Sequence, residues 1–211
     1  MADVAIAIEQ ITGLILAGGQ GSRMEHRDKG LQPFLGKPLV AHSIARLAPQ
    51  VQILAINANR HTDDYAAFGL PLWPDLLTGF AGPLAGLHSG LTHCSTEYLA
   101  AVPCDSPLLP ADLVQRLMTA LEQQQADAAF AVTGQGTQQQ RHPVFCLLKK
   151  NLLPTLSHYL HQDGRKMERW FAGIHSVPVP FEDDFAFSNI NTLQELQQLE
   201  ANAHIATPES Q

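Results

Sequence analysis

Short apolar runs alternate along this chain with stretches whose apolar positions recur every three or four residues, a pattern that predicts parallel strands joined by helices. Ile11 to Leu16 opens the series as a buried strand that runs out at Gly18 and Gly19. Pro38 opens a helical pattern with Leu39, Val40, Ile44 and Leu47 on one side, and Val51 to Ile56 is the next strand. Thr62 to Phe68 reads as a short helix, Leu70 to Trp73 as a short strand interrupted by proline, and another helix begins within Gly79 to Gly90. Tyr98 to Val102 is a fourth strand, followed by a helix from Ala111 to about Gln124. Asp127 to Val132 and Val144 to Leu148 read as strands on either side of Gly134 to Arg141, a polar, glutamine-rich connection expected to be a mobile loop. Leu152 to Leu160 and Met167 to Phe171 are helical in pattern, Ile174 to Val179 is a strand, and Phe185 to Asn191 leads into a helix from about Thr192. The expected fold is one α/β domain over residues 1–201, a Rossmann-like open, mostly parallel sheet with helices on both faces, ending in a polar 202–211 tail expected to be disordered.

Charge narrows the function. A formal net charge of -7, with no run of lysine or arginine, argues against a nucleic-acid footprint, so any anionic ligand must be met by a few placed cations. No apolar run approaches membrane-spanning length, and the opening MADVAIAIEQ lacks the basic segment of a secretory signal. The three cysteines, Cys94, Cys104 and Cys146, are far apart and form no CxxC pair, which disfavours a disulfide framework and a zinc site and suits the cytoplasm.

Candidate chemistry gathers where the predicted strands end, which in an open parallel sheet is the ligand-binding edge. After the first strand, Gly18, Gly19 and Gly21 allow backbone N–H groups to approach an oxyanion, with Arg23 and Lys29 adding positive charge. Neither the dinucleotide fingerprint nor the P-loop fits, because Met24 stands where a third glycine is needed and Lys29 follows Asp28 and precedes Gly30. Asn57 offers a donor and an acceptor to a ribose or base edge, or else caps a turn. Asp75 again lies just beyond a strand end. Gly82 would bring a helix amino terminus close to a flat or anionic ligand, and Gly86 suggests close approach of another backbone. Prolines around Asp105 stiffen its turn and hold one carboxylate at the sheet edge, where it can serve structure or hold a Mg²⁺ ion. Arg165 and Lys166 are adjacent cations that either clamp a second phosphate or start a solvated helix, while Asn189 and Asn191 point the same way from an extended segment.

LAGGQGSRM through Asp28 and Lys29, NANRH, GPLAG, PCDSP and NINTLQEL together resemble the molybdenum cofactor guanylyltransferases over nearly the whole chain. LAGG with a downstream arginine and lysine is shared with other nucleotidyltransferases, including those of sugar phosphates; the remaining motifs are narrower. The resemblance implies a fold of the nucleotide-diphospho-sugar transferase type and transfer of GMP from GTP to molybdopterin or Mo-molybdopterin. It implies GTP contacts from Leu16, Ala17, Gly18, Gly19, Lys29, Asn57, Asp75, Gly82 and Asp105, with Asp105 also on Mg²⁺. Arg23, Lys29 and Asp105 would carry catalysis, and Arg165, Lys166, Asn189 and Asn191 would meet the pterin. Cofactor-insertion proteins and molybdoenzyme chaperones are the implied downstream partners. Three alternatives stay open: a sister enzyme using CTP, which LAGG rather than LAAG disfavours; a sugar-phosphate nucleotidyltransferase, which NINT disfavours; and a non-catalytic nucleotide-binding carrier. Glu25, His26 and Arg27 depart from the family loop, where glycine often follows the methionine.

Overall fold

The computed structural model describes residues 7–17, 28–77 and 82–187. β1 (Ile11–Leu16) is buried at every position, as an apolar run covered by helices on both faces must be. A hairpin follows, β2 (Pro33–Phe34) and β3 (Lys37–Pro38), with Leu35 and Gly36 at φ 47° and 77° in its turn. Both turn residues in the left-handed region match the right-handed twist of a tight hairpin. α1 (Leu39–Leu47) then buries Leu39, Val40, Ser43 and Leu47. Beyond it the chain runs through β4 (Ile53–Asn57), α2 (Thr62–Ala66), α3 (Pro83–His93), β5 (Tyr98–Pro103), α4 (Leu113–Gln123), β6 (Ala128–Thr133), β7 (Gln140–Lys149), α5 (Leu153–His161), α6 (Met167–Ala172) and β8 (Ser176–Phe181).

One sheet holds six of these strands in the order β4-β1-β5-β7-β6-β8. β1 is parallel to β4 and β5, β6 is parallel to β8, and β7 alone runs antiparallel to both its neighbours. Because side chains alternate across a strand, the sheet feeds two cores. Ile11, Ile15, Ile56, Val102 and Leu147 meet α1 and α4, whereas Leu14, Ala55, Leu99, Phe130 and Leu148 meet α3, α5 and α6. From β1 the chain moves outward to β4 by way of α1, then returns past β1 to β5 by way of α3. These two helices lie on opposite faces. The reversal therefore opens a crevice at the carboxyl end of β1, which is where open α/β sheets bind ligands. Among the described residues no helix is long and apolar enough to cross a membrane.

The open, mostly parallel architecture matches the pattern of apolar runs; several local expectations do not. Leu70 to Trp73 is not a strand but a single bridge from Leu72 to Ile56, because prolines flank it and remove backbone donors. Pro38 belongs to the hairpin and caps α1 instead of opening it. The polar connection is shorter than expected: Gly136–Gln138 is a 3₁₀ turn, and β7 already starts at Gln140. Polar side chains there hid the start of that strand, whose first two residues, Gln140 and Arg141, are exposed. The loop from Gly18 to Arg27, with Gly21 and Glu25, the segment Asn189 to Asn191, the helix from Thr192 and the 202–211 tail lie outside the described residues.

Candidate active site

Three strand ends come level at the crevice. Leu16 is in register with Asn57 on one side and Pro103 on the other. The Ala17 N–H donates to the Asn57 carbonyl at 2.8 Å, and the Cys104 N–H donates to the Leu16 carbonyl at 3.1 Å. Asp105 therefore leaves β5 beside the point where the chain leaves β1. Lys29 Nζ lies 3.5 Å from Asp105 Oδ2, the two side chains being 24% and 13% exposed. Burial pushes the Asp105 carboxyl above its ordinary value, and the Lys29 ammonium opposes that rise. A largely buried carboxylate with one cation beside it gains from further positive charge. Its hard oxygen donors suit a divalent ion that takes its other ligands from phosphate and water. Among the described residues no group of three or more His, Cys, Asp or Glu is placed to hold a metal.

The Pro103–Pro110 turn is held from beneath by α1. Ser43 Oγ donates to the Cys104 carbonyl at 3.3 Å and, within reach, to the Ser106 carbonyl at 3.4 Å. An Arg46 guanidinium N–H donates to the Leu109 carbonyl at 3.3 Å, and the Gln50 amide donates to the Pro110 carbonyl at 3.0 Å. These bonds answer carbonyls that prolines in the turn cannot pair within a ladder. Ser43 occupies a core position of an amphipathic helix, where an apolar residue would serve packing alone.

On the β4 side, one Asn57 amide donates to the Trp73 carbonyl at 2.8 Å and to Asp75 Oδ1 at 2.9 Å. Asn59 donates to Asp75 Oδ2 at 2.9 Å and accepts the Asp75 N–H at 2.8 Å. Both carboxylate oxygens are thus oriented by amides, which turns a surface aspartate into a fixed acceptor pair for a donor such as a base edge. α3 starts over the same place, with Gly82 at φ 120° before it. Its first turn brings the partial positive charge of a helix amino terminus to the crevice. A Cβ on Gly86 would come 2.5 Å from both Asn57 Oδ1 and Leu16 Cδ2. The close approach expected at Gly86 is therefore to side chains, not to another backbone.

Arg165 and Lys166 stand apart from this cluster in the chain, between α5 and α6. Arg165 pairs with Asp163 at 3.1 Å, with side chains 40% and 90% exposed. The Lys166 carbonyl accepts the Tyr159 hydroxyl at 3.1 Å, and Lys166 precedes α6, as a helix start would. Gly18, Gly19, Arg23, Asn189 and Asn191 fall outside the described residues. An open hollow of about 680 Å³ lined by Ser95, Glu97, Tyr98, Lys149 and Lys150 sits at the other end of β5 and takes no part in the convergence.

Sequence reasoning did not single out Ser43, Asn59 or Tyr65. Asn59 was legible in NANRH, since an asparagine two residues past Asn57 on a strand end points the same way. Ser43 and Tyr65 had no such signal.

A family model described as MobA-like NTP transferase domain matches residues 13–177. A molybdenum cofactor guanylyltransferase of Bordetella petrii is 54% identical over 189 residues, 90% of this chain and 96% of that protein. Among solved structures, the molybdopterin-guanine dinucleotide biosynthesis protein A of Archaeoglobus fulgidus superposes with a TM-score of 0.75 at 20% identity, covering 92% of this chain and 99% of its own. A 4-diphosphocytidyl-2C-methyl-D-erythritol synthase of Anaerococcus prevotii also reaches 0.75, at 12% identity, covering 96% of this chain and 100% of its own. At those identities the structures speak for the fold alone. The extent of the family match and the identity to the Bordetella protein carry the assignment: this chain belongs to the MobA-like NTP transferase family.

Proposed function

We propose that this chain transfers GMP from GTP to the terminal phosphate of molybdopterin, with or without its molybdenum, releasing pyrophosphate and forming the guanine dinucleotide cofactor. The observation that carries this reading is the 54% identity, over nearly the full length of both chains, to a protein named molybdenum cofactor guanylyltransferase. The Lys29–Asp105 pair at the crevice supports it chemically. We assign the GTP site to Leu16, Ala17, Gly18, Gly19, Lys29, Asn57, Asp75, Gly82 and Asp105, and the pterin site to Arg165, Lys166, Asn189 and Asn191.

A phosphate oxygen of the pterin substrate attacks the α-phosphorus in line; the new P–O bond forms as the bond to the β-phosphate breaks, and pyrophosphate leaves. The attacking oxygen is already anionic, so the protein needs no nucleophile or general base. Its task is positioning and charge neutralisation. Lys29 and Arg23 offset the charge that collects on the leaving pyrophosphate. Asp105 is the residue that would hold Mg²⁺, which when bound neutralises triphosphate charge. The Asn57–Asp75–Asn59 network presents oriented acceptors to the base. We place the reaction in the cytoplasm, with cofactor-insertion proteins and molybdoenzyme chaperones receiving the product.

The cytidyl rival rests on the shared fold, since the erythritol synthase superposes as well as the pterin protein does. Pyrophosphate release by the purified chain with molybdopterin and Mg²⁺ separates them. Turnover with GTP well above that with CTP is expected; preference for CTP overturns the base, and turnover with a hexose 1-phosphate and no pterin overturns the acceptor. Tight GTP binding with no pyrophosphate release would make the chain a carrier.

A further inference from the structure

Lys29 is aimed by its neighbours. On one side Asp28 Oδ1 accepts the Gly30 N–H at 3.0 Å, and the Asp28 carbonyl accepts the Gln32 side-chain amide at 2.9 Å. On the other the Gly30 carbonyl accepts the Val40 N–H at 2.9 Å, tying the segment to α1. Tyr65, fully buried in α2, passes beneath and donates its hydroxyl to the same Asp28 Oδ1 at 2.6 Å. A Cβ on Gly30 would lie 2.5 Å from that hydroxyl and 3.0 Å from Cys104 Sγ, so the Lys29 segment rests directly on the phenol and on the residue before Asp105.

Asp28 precedes Lys29 in the chain, and its Oδ1 is taken up by the Gly30 N–H and the Tyr65 hydroxyl, while Lys29 pairs with Asp105. A phenol already bonded to Asp28 engages that carboxylate without adding charge. The ring is fully buried in the core cluster on this face of the sheet, so its hydroxyl is placed by packing. Burial, with Cys104 and Asp28 nearby, pushes the phenol far above its ordinary range, so it stays a donor throughout the working pH range.

We propose that Tyr65 is a positioning residue for nucleotidyl transfer: by holding Asp28, its hydroxyl fixes the backbone around Lys29 and directs the ammonium to Asp105 and the triphosphate. The proposal rests on the guanylyltransferase reading for its kinetic consequence, but not for its geometric one. Tyr65→Phe keeps the ring and removes the hydroxyl. It is expected to lower kcat roughly ten- to a hundred-fold, the scale of a small misplacement of a catalytic group, while KM for GTP stays within about three-fold. Placed on Lys29→Ala, the same substitution is expected to cost less than about two-fold more, because its effect travels through Lys29. A merely structural tyrosine would lower both backgrounds alike, and that result would overturn the proposal.

An arm independent of turnover uses an amine-acylating reagent on the folded chain, with each lysine followed by peptide mass spectrometry. Lys29 of Tyr65→Phe is expected to react several-fold faster than in the native chain, with the other lysines unchanged. Native labelling of Lys29 in the variant would overturn the proposal. If the native chain releases no pyrophosphate from GTP, the functional reading fails, and the labelling still decides the role of Tyr65.

Discussion

The β4-β1-β5 end of the crevice and the α5–α6 connection are both charged, yet they are built differently. At the first, Lys29 pairs with Asp105, and Asn57 and Asn59 hold Asp75, beside strand ends that lie in register. At the second, Arg165 is held by an aspartate that is 90% exposed, on a connection between helices. Parallel strands deliver their ends to one line, so residues far apart in sequence can share one rigid site; a helix–helix connection delivers only its own residues. The expected division of labour follows. On the proposed assignment, the strand ends would hold the nucleotide in a preformed site and the connection would adapt to the acceptor.

The largest effect that would sharpen this contrast is expected from Asp105→Ala. Loss of an electrostatic contact aimed at the reacting phosphates typically costs a hundred- to a thousand-fold in rate, and pyrophosphate release should fall by about that much. Near-native Mg²⁺-dependent turnover would break the assignment of the crevice. Gly86→Ala comes next. Its methyl has no room beside Asn57 Oδ1 and Leu16 Cδ2, and overpacking of this kind costs about 1–3 kcal/mol. A rise in KM for GTP of about ten-fold is expected, with KM for molybdopterin unchanged. An unchanged KM for GTP would remove Asn57 from the nucleotide site.

Arg165→Ala should act on the other substrate. A lost charge-assisted bond to phosphate corresponds to about a ten-fold rise in KM for molybdopterin, with GTP unaffected. An effect on GTP instead would merge the two regions into one. The smallest effect expected is on stability at mildly acid pH. His142 bonds to Thr133 Oγ1 at 2.8 Å and stacks on Phe187, and burial lowers its pKa from 6.5 while Asp184 partly opposes. A histidine kept neutral in the fold contributes stability that is complete above the unfolded value and lost as pH falls through the folded one. Thermal unfolding midpoints should therefore decline as pH drops below about 6.5, and His142→Gln should flatten that decline. A flat native profile would show that the neutral ring contributes nothing.

Much of the site was legible because chemistry and strand ends coincide in the sequence. Asp105 could be read from prolines that stop a strand beside a carboxylate, and Asn57 from a polar residue closing an apolar run; Asp75 was singled out after an expected strand that is only a bridge, and its place is set by Asn57 and Asn59. Tyr65 could not, since an aromatic residue in a short helical stretch looks the same whether its hydroxyl meets water or a carboxylate in a distant loop. Ser43 was hidden for the opposite reason: a serine among apolar helix positions reads as an imperfection until a turn from another strand brings carbonyls to it. Only the start of β7, Gln140 to Pro143, escaped, because its polar residues resemble a loop when the partner strand is unknown.

What the sequence determined by itself was the α/β order and the residue types at each strand end, because both are set locally, by periodicity and by the turn that follows. Which ends lie side by side was decided only in the tertiary structure. The reversal of strand order at β1 is a long-range event, and it alone brings Leu16, Asn57 and Pro103 level and sets Lys29 against Asp105. No local pattern encodes that register, since it arises from helices packing on opposite faces of one sheet.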